Sequence, residues 1–271
     1  MLLREVEYAR PASVADAVRL LSEHEGARAL AGGQTLVNVM KSRAASPDVL
    51  VDLQDLGDLK AIDLAADGTL TIGAMATYTD VIESAEARAR PILAEVCSQI
   101  ADVQVRNRGT IGGNVCSNDP TNHLPPLMVA LGATMTIVGR SGEREVAAEE
   151  FFLGVYTTAA GPGDLVTKVA IPAGKADGFA AVTIGTDGTC IVSAAASLDG
   201  GSPRVALGCV EAVPVLLHPE SGEEDAVLAA VRDASFQPPS DVHASAEYRR
   251  HLAGVLAARA VRQARGSGRR H

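Results

Sequence analysis

Residues 101–123 read ADVQVRNRGTIGGNVCSNDPTNH, a short polar segment rich in glycine and without a charged run. Gly109, Gly112 and Gly113 are three points at which the backbone can take positive φ or approach another group closely. Thr110, Asn114, Ser117 and Asn118 set small hydrogen-bonding side chains beside backbone amides. Amides gathered in a turn form a concavity for an anion, and a hydroxyl adds a further donor, so the pattern suits a phosphate. A second glycine turn, Ala31-Gly32-Gly33-Gln34-Thr35, stands far upstream. Neither turn is read as bringing a basic side chain of its own. Together they predict two backbone cradles closing on one pyrophosphate, with the rest of the chain holding them face to face around a dinucleotide.

Composition narrows the classes. The chain has 271 residues, enough for one large domain or two to three small ones, and its apolar fraction of 47% supplies a sizeable core. Trp is absent, aromatics make up 3%, and the net charge is −9. Nucleic-acid surfaces want stacking rings and clustered Lys and Arg, so this class is set aside. The one basic cluster, Arg262, Arg265, Arg269 and Arg270, follows or flanks a Gly-Ser break and reads as a solvated terminus. Cys97, Cys116, Cys190 and Cys209 form no C-x-x-C pair, and no His is spaced to complete a zinc or iron–sulfur site. Buried structural thiols in a reducing compartment are the expectation, with Cys116, just after the glycine segment, the one to watch. The start, MLLREVEYARP, carries early charges, and no stretch approaches the roughly 20 apolar residues of a membrane span. A soluble cytoplasmic protein is expected.

Periodicity places the elements. Ser13 caps a helix with apolar residues at 14, 17, 18, 20 and 21 that ends before Gly26. Arg28–Ala31 is a short buried strand running into the first glycine turn. A helix from Thr35 to Arg43 and a strand over 47–53 complete a β-α-β-like unit, residues 1–57. In residues 58–173 the signals are strands at 59–64 and 69–74, and helices started by Thr77 and Pro91. Beyond the glycine segment come a buried helix at 124–131, a hairpin turning at Ser141-Gly142 and a strand at 165–172, which predict a mostly antiparallel sheet. Residues 174–271 give strands at 180–184, 190–198 and 204–209, turns at Gly185–Gly188 and 199–203, and helices at 224–232 and 244–263.

With these residues in view, the chain resembles a known family across nearly its whole length. Gln104-Val-Arg-Asn-Arg-Gly-Thr-Ile-Gly-Gly-Asn, Ala31-Gly-Gly-Gln-Thr-Leu followed by Met40-Lys41, Ile72-Gly-Ala-Met, Phe151-Phe-Leu-Gly and Ser245-Ala-Glu-Tyr-Arg-Arg-His-Leu are similar to the FAD-binding medium subunit of molybdenum hydroxylases, the group of carbon monoxide and xanthine dehydrogenases. The resemblance implies an α+β fold: a PCMH or vanillyl-alcohol oxidase-type FAD-binding fold of two subdomains, plus a C-terminal α/β domain of the CO dehydrogenase flavoprotein type. It implies FAD as cofactor. The pyrophosphate would be held by the backbone of Ala31, Gly32, Gly33, Gln34, Thr35 and Leu36 from one side, and by Thr110, Gly112, Gly113 and Asn114 from the other, with Leu30 also counted among the cofactor-binding residues. Arg28, Ile100 and Ala101 would line the adenosine or ribityl path, with Cys116 close by, and Leu165 would meet the flavin ring. It further implies a molybdopterin large subunit and a 2Fe-2S iron–sulfur small subunit as separate chains, because this one has neither signature.

Two departures bear on chemistry. His123 stands where relatives carry an acidic residue touching the cofactor, and reads as a plain loop histidine or as a neutral hydrogen-bond partner. Thr183 and the Gly185 turn occupy a region where relatives often carry Lys or Arg near the isoalloxazine ring. Without that cation the flavin is expected to be harder to reduce, or to rely on a helix dipole. An electron-transfer subunit is therefore the first reading, and a free-standing flavoprotein or a non-redox scaffold the alternative.

Overall fold

The computed structural model describes residues 3–185, 188–199 and 202–267. Arg269 and Arg270 of the basic tail, and the middles of the two turns at 186–187 and 200–201, lie outside the described residues.

The N-terminal sheet is parallel. Strands β1 (Glu7–Ala9), β2 (Ala27–Leu30) and β3 (Val49–Asp52) lie in the order β1-β3-β2, with α1 (Val14–Glu23) and α2 (Leu36–Lys41) making the crossovers. α1 forms where its cap and apolar spacing require: Ser13 accepts the Asp16 N–H at 3.1 Å, and Ala17, Val18 and Leu21 are buried. β1 carries no sequence signal, being three residues long and largely exposed, and exists through its pairing with β3.

The second sheet is antiparallel at every pairing, in the order β4 (Ile62–Leu64), β5 (Leu70–Gly73), β10 (Leu165–Ile171), β6 (Thr134–Gly139), β7 (Gly142–Ala147). The expected strand at 59–64 begins instead as a short 3-10 turn, Gly57–Lys60, before β4. Between β5 and β6 run α3 (Tyr78–Glu83), α4 (Ile92–Ser98), α5 (Val103–Arg106), α6 (Ile111–Ser117) and α7 (Leu124–Ala130). α3 starts with a reciprocal capping box between Thr77 and Asp80. α8 (Ala148–Phe151) and the small hairpin β8 (Phe152–Gly154) and β9 (Thr157–Thr158), neither expected from the sequence, precede β10. All seven residues of α7 are buried, because α6 and α8 cover part of it and the third sheet the rest.

That third sheet is also antiparallel, in the order β11 (Asp177–Ile184), β12 (Thr189–Ser197), β13 (Arg204–Gly208), β14 (Val215–Leu217), with α9 (Glu224–Asp233) and α10 (Ala246–Ser267) on its far face. One buried ion pair fastens it to the second sheet. Arg90 Nε and Nη2 donate to the two carboxylate oxygens of Asp177 at 2.7 and 2.8 Å, Nη1 donates to Pro172 O, and Nη2 also reaches Ser197 Oγ. Both side chains are nearly inaccessible, so removing one partner would strand a buried charge at a cost of ~3–5 kcal/mol.

The glycine segment carries two short helices, α5 and α6, and none of Gly109, Gly112 and Gly113 takes positive φ; of the two roles expected for these glycines, close approach is the one the structure uses. Two of these glycines serve close packing. A Cβ on Gly112 would sit 2.5 Å from Ala74 Cβ and 2.7 Å from its carbonyl oxygen, and one on Gly109 would press into the Tyr78 ring. Their absent side chains let α6 lie directly on the end of β5.

Candidate functional site: the cleft between β2 and α6

Leaving β2, the chain turns at Gly32-Gly33, and the reason for glycine differs at the two positions. Gly33 has φ +73°, where a side chain is strained. At Gly32 a Cβ would overlap the Arg108 carbonyl oxygen and lie 3.0 Å from Gly109 Cα. The two glycine segments therefore touch, with Arg108-Gly109 on one side and Gly32 on the other. On Gly113 a Cβ would come 3.7 Å from that of Ala31.

Beside this contact opens a cleft of about 260 Å³. Leu30, Ala31, Gly32, Gly33 and Gln34 line it from the turn, Val37, Asn38 and Lys41 from α2, Asp52 from the end of β3, and Arg108 from the α5–α6 junction. Among the described residues, no protein acceptor takes the N–H groups of Gly32, Gly33, Gln34 or Thr35. Four free donors at a turn leading into a helix form an anion cradle. Lys41 and Arg108 add positive charge, and neither side chain has an ion-pair or hydrogen-bond partner among the described residues. The cradle thus has basic side chains at its rim, against the expectation that backbone alone would serve. Asp52, buried at the edge of the cleft, is occupied by the Tyr8 hydroxyl and the Gln54 N–H.

The second segment uses its amides differently. Ile111 N–H donates to Ala76 O (2.9 Å) and Gly112 N–H to Ala74 O (2.8 Å), while Thr110 Oγ1 accepts from Gly113 N–H (3.0 Å). Thr110, Gly112 and Gly113 are thereby engaged within the protein. Asn114 is engaged only in part. Its Nδ2 donates to Tyr78 Oη (2.8 Å), but its buried Oδ1 has no donor. Burial pushes the Tyr78 phenol up to about 12, so that hydroxyl stays neutral and the Asn114 amide stays oriented.

The remaining expected residues stand elsewhere. Thr35 and Leu36 begin α2 and are not among the residues that line the cleft. Arg28 lies outside it: its Nη1 donates to Ala27 O, and it lines a second cleft with Arg140 and Gly163. Ile100 and Ala101 offer their carbonyls to Arg106 Nη1 at 3.0 and 2.8 Å, with Ala101 at φ +44°. Burial pushes the Cys116 thiol up to about 12. His123 is buried, tilted against the Phe179 ring at 5.2 Å, and its Nδ1 lacks a partner. Leu165 is buried in the cluster shared by the first two sheets, and Thr183 is exposed on β11.

Sequence reasoning missed Val37, Asn38, Lys41, Asp52 and Arg108 as lining residues. Lys41 was visible in the Met40-Lys41 pair, four residues along a helix from Val37, but carried no assigned role. Arg108 lay inside the quoted motif. Asp52 gave no signal, since a strand-end carboxylate is commonplace.

Free donors and unpaired cations fit a group with a negatively charged diphosphate, so the cleft and its fold define a candidate dinucleotide-binding site. Residues 4–174 match the model of the FAD binding domain in molybdopterin dehydrogenase, and 179–264 that of the CO dehydrogenase flavoprotein C-terminal domain. The chain belongs to this family of FAD-binding medium subunits of molybdenum hydroxylases, and FAD is its cofactor. It is 38% identical to the carbon monoxide dehydrogenase medium chain of Afipia carboxidovorans over 98% of both chains. It is 32% identical to the glyceraldehyde dehydrogenase medium chain of Sulfolobus acidocaldarius, covering 96% of this chain and 98% of that one. The corresponding chain of cyanide-inactivated Cu,Mo-CO dehydrogenase superposes with a TM-score of 0.91 at 38% identity, covering 98% of this chain and all of that one. Homologues of the chain are oxidoreductase subunits.

Proposed function

We propose that this chain is the electron-transfer subunit of a three-part dehydrogenase, receiving electrons from an iron–sulfur partner and delivering them to an external acceptor. The single observation that carries this is the row of unpartnered amides from Gly32 to Thr35 beside Lys41 and Arg108, in a chain whose likeness to medium subunits is end to end. When bound, FAD would supply the two-electron chemistry. The chain's own part is to hold and orient. The Gly32–Thr35 amides and the two cations take the diphosphate, Asn114 Oδ1 accepts from a cofactor hydroxyl or ring N–H, and Leu165 with its neighbours keeps water from the packed side. Thr110, Gly112 and Gly113 act by fixing α6, not as donors.

The substrate belongs to the partner chain. Relatives of similar identity serve carbon monoxide and glyceraldehyde dehydrogenases, two substrates with little in common, which supports placing substrate choice outside this subunit. A large and a small subunit, a cytoplasmic location, and three units at 1–57, 58–173 and 174–271 are part of the same reading. Among the described residues no helix is long and apolar enough to cross a membrane. The test is reconstitution. The purified chain should bind one FAD and resist bleaching by substrate when alone, then bleach once the iron–sulfur and molybdenum chains are added. Bleaching by an organic substrate with this chain alone would make it a free-standing oxidase. No bleaching with all partners present, despite bound FAD, would favour the scaffold alternative, for which the exposed Thr183 in place of a cation is the supporting feature.

A further inference from the structure

The cleft that offers free amides and two cations also contains an acid. Asp52 ends β3 and pairs in the ladder with Leu30, the last residue of β2 before the glycine turn. It lines the same cleft as Lys41 and Arg108, yet among the described residues no ion pair joins its carboxylate to either of them.

An acid in a cleft built for an anion works against the ligand. A sphere of 260 Å³ is about 8 Å across, less than the Debye length of roughly 10 Å at 0.1 M salt. A carboxylate in the wall of so small a space therefore repels any diphosphate held there, and salt screens only part of the repulsion.

The neighbours of Asp52 hold it in place without neutralising it. Oδ1 accepts the Gln54 N–H at 3.0 Å, and Oδ2 accepts the Tyr8 hydroxyl from the adjacent strand β1. Gln54 Nε2 approaches that same hydroxyl at 3.4 Å. Both donors to the carboxylate are uncharged. The bond to Asp52 pushes the Tyr8 phenol up, so the hydroxyl keeps the proton it donates. Tyr8 is 54% exposed, so its ring adds little to the core, and its one polar contact with a charged group is this one. An ionised carboxylate has about four acceptor positions, and these two bonds leave about half of them open.

The chemistry of a dinucleotide supplies a use for the open positions. Its diphosphate is flanked on both sides by sugar carbons bearing hydroxyls. A hydroxyl can donate to a carboxylate, whereas a diphosphate diester has only acceptors to offer. We propose that Asp52 is a specificity-determining residue of this cleft, accepting a hydrogen bond from a sugar hydroxyl beside the diphosphate, with Tyr8 as its positioning residue. The inference rests on the reading of the cleft as the diphosphate site. The amides and cations attract any anion of suitable size, and Asp52 subtracts from that attraction unless a donor arrives with the phosphates. Attraction and selection are thus divided between different groups, and the repulsive one excludes bare anions.

The experiment titrates the full-length chain, freed of FAD, with two ligands. One is FAD; the other is dimethyl diphosphate, a diester with one methyl group on each phosphate and no hydroxyl. Asp52→Asn keeps an acceptor for the Gln54 N–H and removes the charge. It should weaken FAD by about fivefold and tighten dimethyl diphosphate by about threefold, a pair of opposite shifts that a merely structural role would not produce. Tyr8→Phe leaves the charge but frees the carboxylate to turn, and should weaken FAD by about threefold with the diester changed by less than about twofold. Lys41→Ala should weaken both ligands. An FAD affinity unchanged in Asp52→Asn, or FAD and diester weakened in equal proportion, overturns the inference while the diphosphate reading stands on Lys41→Ala. If Asp52→Asn fails to give the wild-type circular dichroism spectrum, Tyr8→Phe decides, and an unchanged FAD affinity there overturns the inference. If Lys41→Ala moves neither ligand, the diphosphate does not lie in this cleft, and both the reading and the inference fall.

Discussion

At Gly32-Gly33 the chain leaves a row of backbone N–H groups free beside an open cleft; at Gly112-Gly113 it uses each comparable N–H to bind its own carbonyls or cap. Each pair is followed by a residue with an amide side chain, Gln34 or Asn114, and on paper they look interchangeable. The physical difference lies in what each missing Cβ permits. Gly33 allows left-handed backbone and Gly32 allows the two segments to touch, so the turn is shaped by what it must expose. Gly112 allows α6 to lie against Ala74, so that helix is shaped by what it must bury. A glycine pattern therefore reports tight backbone geometry without saying whether a ligand or a neighbouring strand is the reason for it.

The widest separation between the two regions should come from paired substitutions. Gly32→Val drives a branched side chain into the Arg108 carbonyl and forces the two segments apart. FAD should be lost by at least about a hundredfold in Kd, equivalent to ~3 kcal/mol. Gly112→Val overpacks α6 against Ala74 and should cost about 1–3 kcal/mol or more in stability, measured by melting the FAD-free protein. The contrast breaks if the two variants lose apo stability equally and the folded fraction of Gly32→Val still titrates with FAD at the original affinity.

A smaller effect sharpens the first region. Lys41→Ala and Arg108→Ala each remove a cation from the rim of the cleft without touching the amides. Each should weaken FAD by roughly tenfold, or ~1.4 kcal/mol, and flatten the salt dependence of Kd, because a charge-assisted contact to phosphate is lost. Titration of flavin fluorescence across a range of ionic strength reads both quantities. Unchanged Kd in both variants would return the cradle to backbone alone.

The elements that positioned themselves in the sequence were those with local causes. α1 had a cap and a 3.6-residue stripe, α3 a capping box, and the β6–β7 hairpin a Ser141-Gly142 signal one residue beyond its actual Arg140-Ser141 turn. α10 was legible from repeated apolar positions, starting two residues later than expected and ending beyond Gln263. β1, β14 and the β8–β9 hairpin were not, since strands of two or three residues hold together only through partners distant in sequence. The motif placed the two glycine segments face to face around a dinucleotide, and in the structure Gly32 packs directly against Arg108. The helix hidden in the second segment was not. Glycine weighs against helix by about 1 kcal/mol per residue, and only the β5 surface beneath makes glycine the residue that fits. The same limit concealed Lys41 and Arg108, whose relevance depends on two helices meeting at one cleft.

The finest distinction concerns Thr110, which sequence reasoning placed among the phosphate donors. Its hydroxyl accepts the Gly113 N–H, which is the work of an N-cap, and the residue is 3% exposed. Thr110→Ala should lower apo stability by ~1 kcal/mol and change the Kd for FAD by less than about twofold, with Thr110→Ser restoring most of the loss. Thermal melts with and without FAD measure both sides of this. If Thr110→Ala leaves the apo melt unmoved and weakens FAD by tenfold, the hydroxyl serves the ligand, and the two glycine segments share one role after all.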